Sequence, residues 1–494
     1  MSDAGESMLR ADTEARRLAH TEFDRPLVVE AGAGTGKTAL LTARVVAWCL
    51  GPGWQLHAGA GADKAAVARE VLDGVVAITF TEAAASEMAQ RVAEAFSLLA
   101  RGMDPPAGVD RDLLAVADEE RTVRAAALAD EVHRLAAQTI HSWCHRLLGT
   151  FPLEAGLHPG FEVDGDGSRT EALVEEVVVE ALRGLSGGEL DTDWQILAAA
   201  GVTAPGLAAA LRQLVAAGVS ADELLRDPFK GGAVERLVAR LRDALDAFFS
   251  AGGGALSDLK GSKISAQTAS ALAEVSRGLA RCRGADPIHE LVAAVLSLGD
   301  KEIDRLRDWA RSDFNATEFK ALGESATAVA ESAASLAPLI RGVTEIAVEE
   351  FAAARRILAD LLRDARLRMR VQGVVTYDDL LQRTKVLVEG SDRVRRELRF
   401  AIDQLMVDEF QDTDNTQCEI VRWLAFDGPT AERPGLFIVG DPKQSIYGWR
   451  RADLAAYDAF KALVKSNGGR VEPLVRNFRS VKPILDGVQR VVGR

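Results

Sequence analysis

An apolar run at 26–30 (PLVVE) passes directly into AGAGTGKT at 31–38, and an amphipathic helical pattern follows over 39–50. Strand, glycine-rich loop and helix start in that order restrict the chain to an α/β fold in which a strand hands a loop to a helix N-terminus. In such a loop the glycines let backbone N–H groups close around a phosphate, and the helix N-terminus adds partial positive charge. Lys37 can reach β- and γ-phosphates, and the Thr38 hydroxyl suits Mg²⁺. Ala31, Gly32, Ala33, Gly34, Thr35, Gly36, Lys37 and Thr38 are therefore the candidate residues for a nucleoside triphosphate. Ala31 stands where the pattern usually opens with glycine. The plain alternative is a glycine-rich turn with a solvated lysine, and the flanking strand and helix argue against it.

At 494 residues, 48% apolar and 27% charged, the chain reads as a soluble globular protein of two or more domains. No uninterrupted apolar run reaches the ~20 residues that cross a bilayer. The opening residues, MSDAGESMLRADTEARR, offer no apolar stretch for a signal peptide. A cytoplasmic location and no membrane partner are expected. Cys49, Cys144, Cys282 and Cys418 are scattered without C-x-x-C spacing and read as reduced thiols. His141 and His145 share a helix face but lack the Glu of H-E-x-x-H, so no zinc site is expected there.

A net charge of −14 has the wrong sign for nucleic acid on average, but a phosphate footprint is local. From Arg355 to Arg399 twelve Lys/Arg face seven acids. Taken alone, that stretch reads better as solvated helix with paired charges.

Strand patterns fall at 27–30, 75–79, 404–408, 436–439 and 471–474, separated by helical patterns, as in a mostly parallel sheet. Between the two groups of strands lies an Ala/Leu/Arg-rich stretch with helical periodicity and Gly-rich breaks. The expected organisation is a P-loop domain in two parts, 1–153 and 371–475, carrying an inserted all-helical domain at 154–370, with 476–494 beginning something further.

Two more strand ends carry chemistry. LMVDEFQD at 405–412 places Asp408 and Glu409 at the C-terminal edge of the sheet, where open α/β sheets bind ligands. Asp408 suits Mg²⁺, and Glu409 suits orienting and deprotonating a water. The alternative for an Asp–Glu pair is a surface turn, which the preceding apolar strand disfavours. IVGDPKQSIYGWRR at 438–451 puts Gln444 within reach of a γ-phosphate. Tyr447 and Trp449 beside Arg450 and Arg451 suit stacking on single-stranded bases, or else a core tryptophan beside solvated arginines.

The ordered set AGAGTGKT (31–38), TFTEAAASEM (79–88), TIHSWC (139–144), DEFQD (408–412), GDPKQS (440–445) and NFRS (477–480) resembles superfamily 1A DNA helicases of the UvrD/RecB type. FPLEAGL at 151–157, followed by FEV at 161–163, is more similar to the RecB/AddA branch. The resemblance implies a RecA-like P-loop NTPase fold using ATP and Mg²⁺. It implies 3′→5′ motion along single-stranded DNA and at single-strand/duplex junctions, in repair or recombination, with an AddB- or RecC-like partner subunit. It assigns Lys37 and Thr38 to phosphate and Mg²⁺, Asp408 to Mg²⁺, Glu409 to the water, and Gln444 and Arg479 to the γ-phosphate. Phe80, Thr81, Thr139, His141 and Trp449 would line the DNA track.

Three departures stand out. The family's adenine-reading glutamine is missing, Ala15 lying in that neighbourhood just ahead of Arg16 and Arg17; Ala83 replaces a lysine; and the chain ends soon after Arg479. The expectation is the motor portion of a longer helicase, lacking the second RecA-like domain and weak in hydrolysis alone. The competing expectation is a non-unwinding ATP- or DNA-binding subunit that regulates a helicase–nuclease.

Overall fold

The computed structural model describes residues 3–114, 116–185, 191–229, 232–282, 287–445, 453–480, 487 and 490. The chain divides into two compact units, one formed by 1–168 with 369–494 and the other by 169–368.

The first unit is built on strands β1 (Leu27–Ala31), β2 (Val75–Thr79), β3 (Ala136–Thr139), β4 (Glu162–Val163), β5 (Val374–Val375), β6 (Gln404–Val407), β7 (Gly435–Gly440) and β8 (Arg470–Leu474). Six of them form one parallel sheet in the order β3-β2-β6-β7-β1-β8. Successive side chains of a strand point to opposite faces, and the two cores divide along that alternation. Leu27, Val29, Val75, Ala77, Met406, Phe437 and Val439 enter one core. Val28, Val76, Ile78, Leu405, Val407, Leu436 and Ile438 enter the other. Helices cover both faces, which is why these strands read as unbroken apolar runs rather than alternating ones. The fold is the α/β, RecA-like P-loop arrangement expected of the sequence.

Two features differ from the pattern read in the sequence. The edge strand β3 (AAQT) carries no strand signal: it is short, only partly buried, and holds no large apolar residue. The first unit also extends to Ser168, past the expected boundary at 154, because Ala155, Leu157 and Phe161 pack into the second core. Where the chain leaves and re-enters this unit, β4 and β5 pair in parallel, Glu162 opposite Val374.

Arg44 lies in the middle of the helix Lys37–Leu50 and is fully buried. Its guanidinium sits 4.7 Å from the Phe23 ring centroid and 4.6 Å from that of Phe437. It donates to the Glu22 carbonyl at 2.8 Å and to Gln404 Oε1 at 3.2 Å, joining the end of the first helix, Asp3–Thr21, to β6. Burial lowers its pKa to about 9. The hydrogen bonds and flanking rings offset part of the cost of the buried charge, with Nε left without a hydrogen-bond partner among the described residues.

The second unit is helical. Its core gathers Leu241, Leu245, Phe248, Leu272, Leu291, Trp309 and Leu336. Inside it the fully buried Glu318 accepts from Trp309 Nε1 at 2.9 Å and the Asn315 backbone N–H at 2.7 Å, and is ion-paired to Arg305. The basic stretch is largely committed to local partners. In this unit Arg356 pairs with Asp193 and Arg368 with Glu180 and Asp364; in the first unit Arg395 and Arg399 share Asp427. That agrees with the paired-charge reading of the segment. The four cysteines are free thiols. Among the described residues no single helix is long and apolar enough to cross a membrane.

Candidate active site

A parallel sheet sends all its C-terminal strand ends to one edge. Register sets the neighbours there: Ile78 faces Val407, Val407 faces Ile438, and Glu30 faces Gly440. The loop after β1, the 79–81 turn after β2, Thr139 at the end of β3, Asp408 and Glu409 after β6, and Asp441 after β7 thus share one edge.

The loop after β1 turns through Gly34 and Gly36, both left-handed at φ 75° and 89°. Thr35 is buried, and its hydroxyl closes the loop on the Gly32 carbonyl at 2.8 Å. Gly36 caps the helix Lys37–Leu50 without any side-chain bond, which leaves the first-turn N–H groups available to an anion. Lys37 Nζ lies 2.6 Å from Glu409 Oε2, across 372 positions of sequence.

Glu409 itself is left-handed at φ 50°, uncommon for a residue with a side chain. Such a conformation costs on the order of 1–3 kcal/mol and persists only where surroundings impose it. Asp408 beside it is nearly buried, with its N–H on the Ile78 carbonyl at 2.8 Å and its Oδ1 accepting the Glu409 N–H at 2.9 Å. Burial, then the Glu409 charge, push Asp408 up to about 7; the same two causes push Asp412 up to about 6. Among the described residues, Asp412 Oδ1 is buried without a hydrogen-bond partner. Buried carboxylates held above their usual range are what a divalent cation relieves, so this donor set fits Mg²⁺.

Both groups are raised on folding, so between their ordinary pKa near 3.8 and their folded values the native state binds more protons than the unfolded one. Stability from these groups therefore falls as pH rises through that window and is at its lowest above pH 7. Asp408→Asn is expected to stabilise the nucleotide- and metal-free chain at pH 8 by on the order of 2 kcal/mol, shrinking toward pH 4. Thermal melts at the two pH values in EDTA check this, and an unchanged or lowered Tm at pH 8 would contradict it.

Gln444 donates from Nε2 to Asp441 Oδ2. Arg479 is exposed, and its backbone crosses the phosphate loop: Phe478 N–H donates to the Gly34 carbonyl and Asn477 Nδ2 to the Ala33 carbonyl, each at 2.8 Å. A Cβ on Gly34 would stand 2.7 Å from the Arg479 Cβ, so only glycine allows this approach.

Of the expected DNA-track residues, Phe80 and His141 line a cavity of about 400 Å³ together with Asp378, Asp408, Asp412 and Asp414. Thr81 caps the helix Glu82–Ala100 through the Ala84 N–H at 3.1 Å. Thr139 caps the helix Ile140–Thr150 and donates to Glu82 Oε1 at 2.8 Å, as Ser142 does. Two helix N-termini are thereby tied together by one carboxylate. His141 packs edge-on against Tyr377, and burial pushes its pKa down. Tyr447 and Trp449 lie outside the described residues.

Some contacts at the site have no signature in the sequence. Ala15 is fully buried, and the neighbouring Arg16 is what reaches the loop, donating to the Thr35 carbonyl at 3.0 Å while paired to Asp12 at 2.8 Å. Asp12 Oδ1 in turn accepts the N–H groups of Val475 and Arg476 at 2.8 and 2.9 Å. Phe478 is exposed, with Arg16 at 5.0 Å and Arg476 at 5.1 Å from its ring centroid. Phe478 does fall within NFRS (477–480), and an aromatic flanked by basic residues is also the pattern of 447–451.

A parallel sheet whose one edge gathers a phosphate loop, its lysine and two strand-end carboxylates defines a P-loop nucleoside triphosphatase, here with a helical insertion. The family described as UvrD/REP helicase N-terminal domain matches residues 12–465, and the chain belongs to it. It is 29% identical over 535 residues to the A subunit of the ATP-dependent helicase/nuclease of Desulforudis audaxviator, covering 95% of this chain and 39% of that protein. The protein of the same name from Geobacillus kaustophilus is 26% identical over 538 residues, covering 94% and 38%. The RecBCD enzyme subunit RecB of Mycolicibacterium smegmatis is 39% identical over 136 residues, 27% of this chain and 12% of that one. The chain thus spans well under half the length of these relatives.

Proposed function

We propose that this chain is the ATP-driven motor portion of a helicase–nuclease of the AddA/RecB type, moving 3′→5′ on single-stranded DNA in repair or recombination. The carrying observation is the Lys37–Glu409 contact, which joins the phosphate loop and the acidic strand end at one spot. In this reading Lys37 and the open helix N-terminus take the triphosphate, with Ala31, Gly32, Ala33, Gly34, Thr35 and Gly36 forming the cradle. Thr38 and Asp408 would hold Mg²⁺, which when bound neutralises charge on the β- and γ-oxygens. As Lys37 turns to the phosphates it leaves Glu409, whose freed carboxylate orients a water and takes its proton. Gln444 and Arg479 would meet the γ-phosphate from the sheet edge and from the segment crossing the loop. Phe80, Thr81, Thr139 and His141 would face DNA, with Tyr447 and Trp449 as stacking platforms.

A cytoplasmic site of action and an AddB- or RecC-like partner belong to the same proposal. The matched family is an N-terminal domain; the family resemblance implies a second RecA-like domain with an arginine finger besides Arg479, and such a finger is worth roughly 10³–10⁵ in rate. These 494 residues by themselves are accordingly proposed to bind ATP, hydrolyse it slowly and leave duplex intact. The test is steady-state ATPase with and without single-stranded DNA, alongside strand separation on 3′- and 5′-tailed duplexes. DNA-stimulated hydrolysis without unwinding is expected. Robust unwinding by this chain would overturn the single-lobe reading, and hydrolysis indifferent to DNA would favour the competing role as a regulator of a helicase–nuclease.

A further inference from the structure

Gln411 lies between the Glu409 carboxylate and the loop after β7, and it is only 1% exposed. Its Oε1 accepts the Asp441 backbone N–H at 2.7 Å. That partner can only donate, so the amide orientation is settled and Nε2 must face the acidic side. There Nε2 donates to Glu409 Oε2 at 2.9 Å and to Asp412 Oδ2 at 3.2 Å. The main chain adds a third tie, the Gln411 carbonyl accepting the Ser445 hydroxyl at 3.2 Å. The approach is close: a Cβ on Gly440 would stand 3.0 Å from Gln411 Oε1, tighter than an ordinary contact.

Asp441, held by this amide, in turn accepts from the Lys443 N–H and the Gln444 side chain. One buried side chain therefore touches the carboxylate on the β6 end and the segment that carries Gln444. Among the described residues Lys37 also bonds Glu409 Oε2, and in the proposed function it is the partner that turns away to the phosphates. What then keeps a carboxylate on a left-handed residue aimed correctly is the Gln411 amide.

We propose that Gln411 is a positioning residue that sets the Glu409 carboxylate according to the position of the 441–445 loop, so that the base is aligned when the γ-phosphate side of the site is in place. The proposal rests on the reading of Glu409 as the base. The close relatives of glutamine do not serve both ends: glutamate would put two carboxylates together, and asparagine is one carbon short.

The experiment compares Gln411→Ala, Glu409→Gln and the double variant of the full chain. It reads single-turnover ATP hydrolysis with single-stranded DNA, and binding of a fluorescent non-hydrolysable ATP analogue. Gln411→Ala is expected to lower kcat about 10- to 100-fold, as misplacement of a base does, with analogue affinity unchanged. Added to Glu409→Gln, it is expected to cost nothing more, because the group it positions is gone. An unchanged kcat, or a double variant slower than Glu409→Gln by the full factor of Gln411→Ala, overturns the proposal while leaving the base in place. Wild-type turnover in Glu409→Gln alone removes the base and the proposal with it. Should Gln411→Ala melt early, Gln411→Met keeps the side-chain volume without adding a charge and is read in the same way, with the same split between kcat and affinity expected.

Discussion

Replacing Glu409 by glutamine is expected to cut ATP turnover by about 10²–10⁴, the usual worth of a positioned general base, while ATP binding is kept or tightened. Retention follows from shape: glutamine occupies the same volume, tolerates the same left-handed backbone as glutamate, and still offers an oxygen to Gln411. Tightening follows from competition. Lys37 pairs with Glu409 at 2.6 Å, and that ion pair has to open for the ammonium to meet a phosphate. Without the carboxylate charge the lysine is released in advance, so less binding energy goes into rearrangement. Single-turnover hydrolysis and analogue titration check the two halves separately. Turnover at the wild-type rate would rule Glu409 out as the base, and a large loss of affinity would mean that the pair with Lys37 assists nucleotide binding rather than opposing it.

Lys37→Ala is expected to weaken ATP binding by about 3–4 kcal/mol, roughly 10²–10³-fold in Kd, the range for removing one member of a desolvated charge contact. The same change removes the cation from beside Asp408, Glu409 and Asp412. Lys37 lowers the pKa of both Asp408 and Asp412, so its loss leaves three acids to repel one another. A second consequence is therefore expected in the nucleotide-free chain: a melting temperature that falls more at pH 8 than at pH 5, where the two raised carboxyls are largely protonated. Analogue binding indistinguishable from wild type would remove the phosphate-loop reading.

The strands that form the middle of the sheet were legible because burial on both faces demands continuous apolar runs, as in LVVE, VVAIT and LFIV. β3 was not, since a partly buried edge strand of AAQT asks for no such pattern. The arginine at 44 illustrates the same limit from the other side. Within an apolar helix it looks like an interruption, yet two rings and three acceptors contributed by other elements make it a buried joint. Near the loop, helical geometry decided between adjacent residues: Ala15 turns into the core and Arg16 onto the Thr35 carbonyl, which residue spacing alone left open.

What belongs to the chain's letters is local: a glycine pair that can adopt left-handed turns, a lysine and threonine at a helix start, carboxylates placed straight after apolar strands. These follow from backbone sterics and short-range periodicity, which depend on a few neighbouring residues. Which of them meet is a matter of strand order and register. β6 and β7 separate β2 from β1 in the parallel sheet, and that arrangement brings Glu409 to Lys37 and Gln411 to Asp441. The raised carboxyls at 408 and 412 have the same origin, because desolvation exists only once distant segments have closed around them.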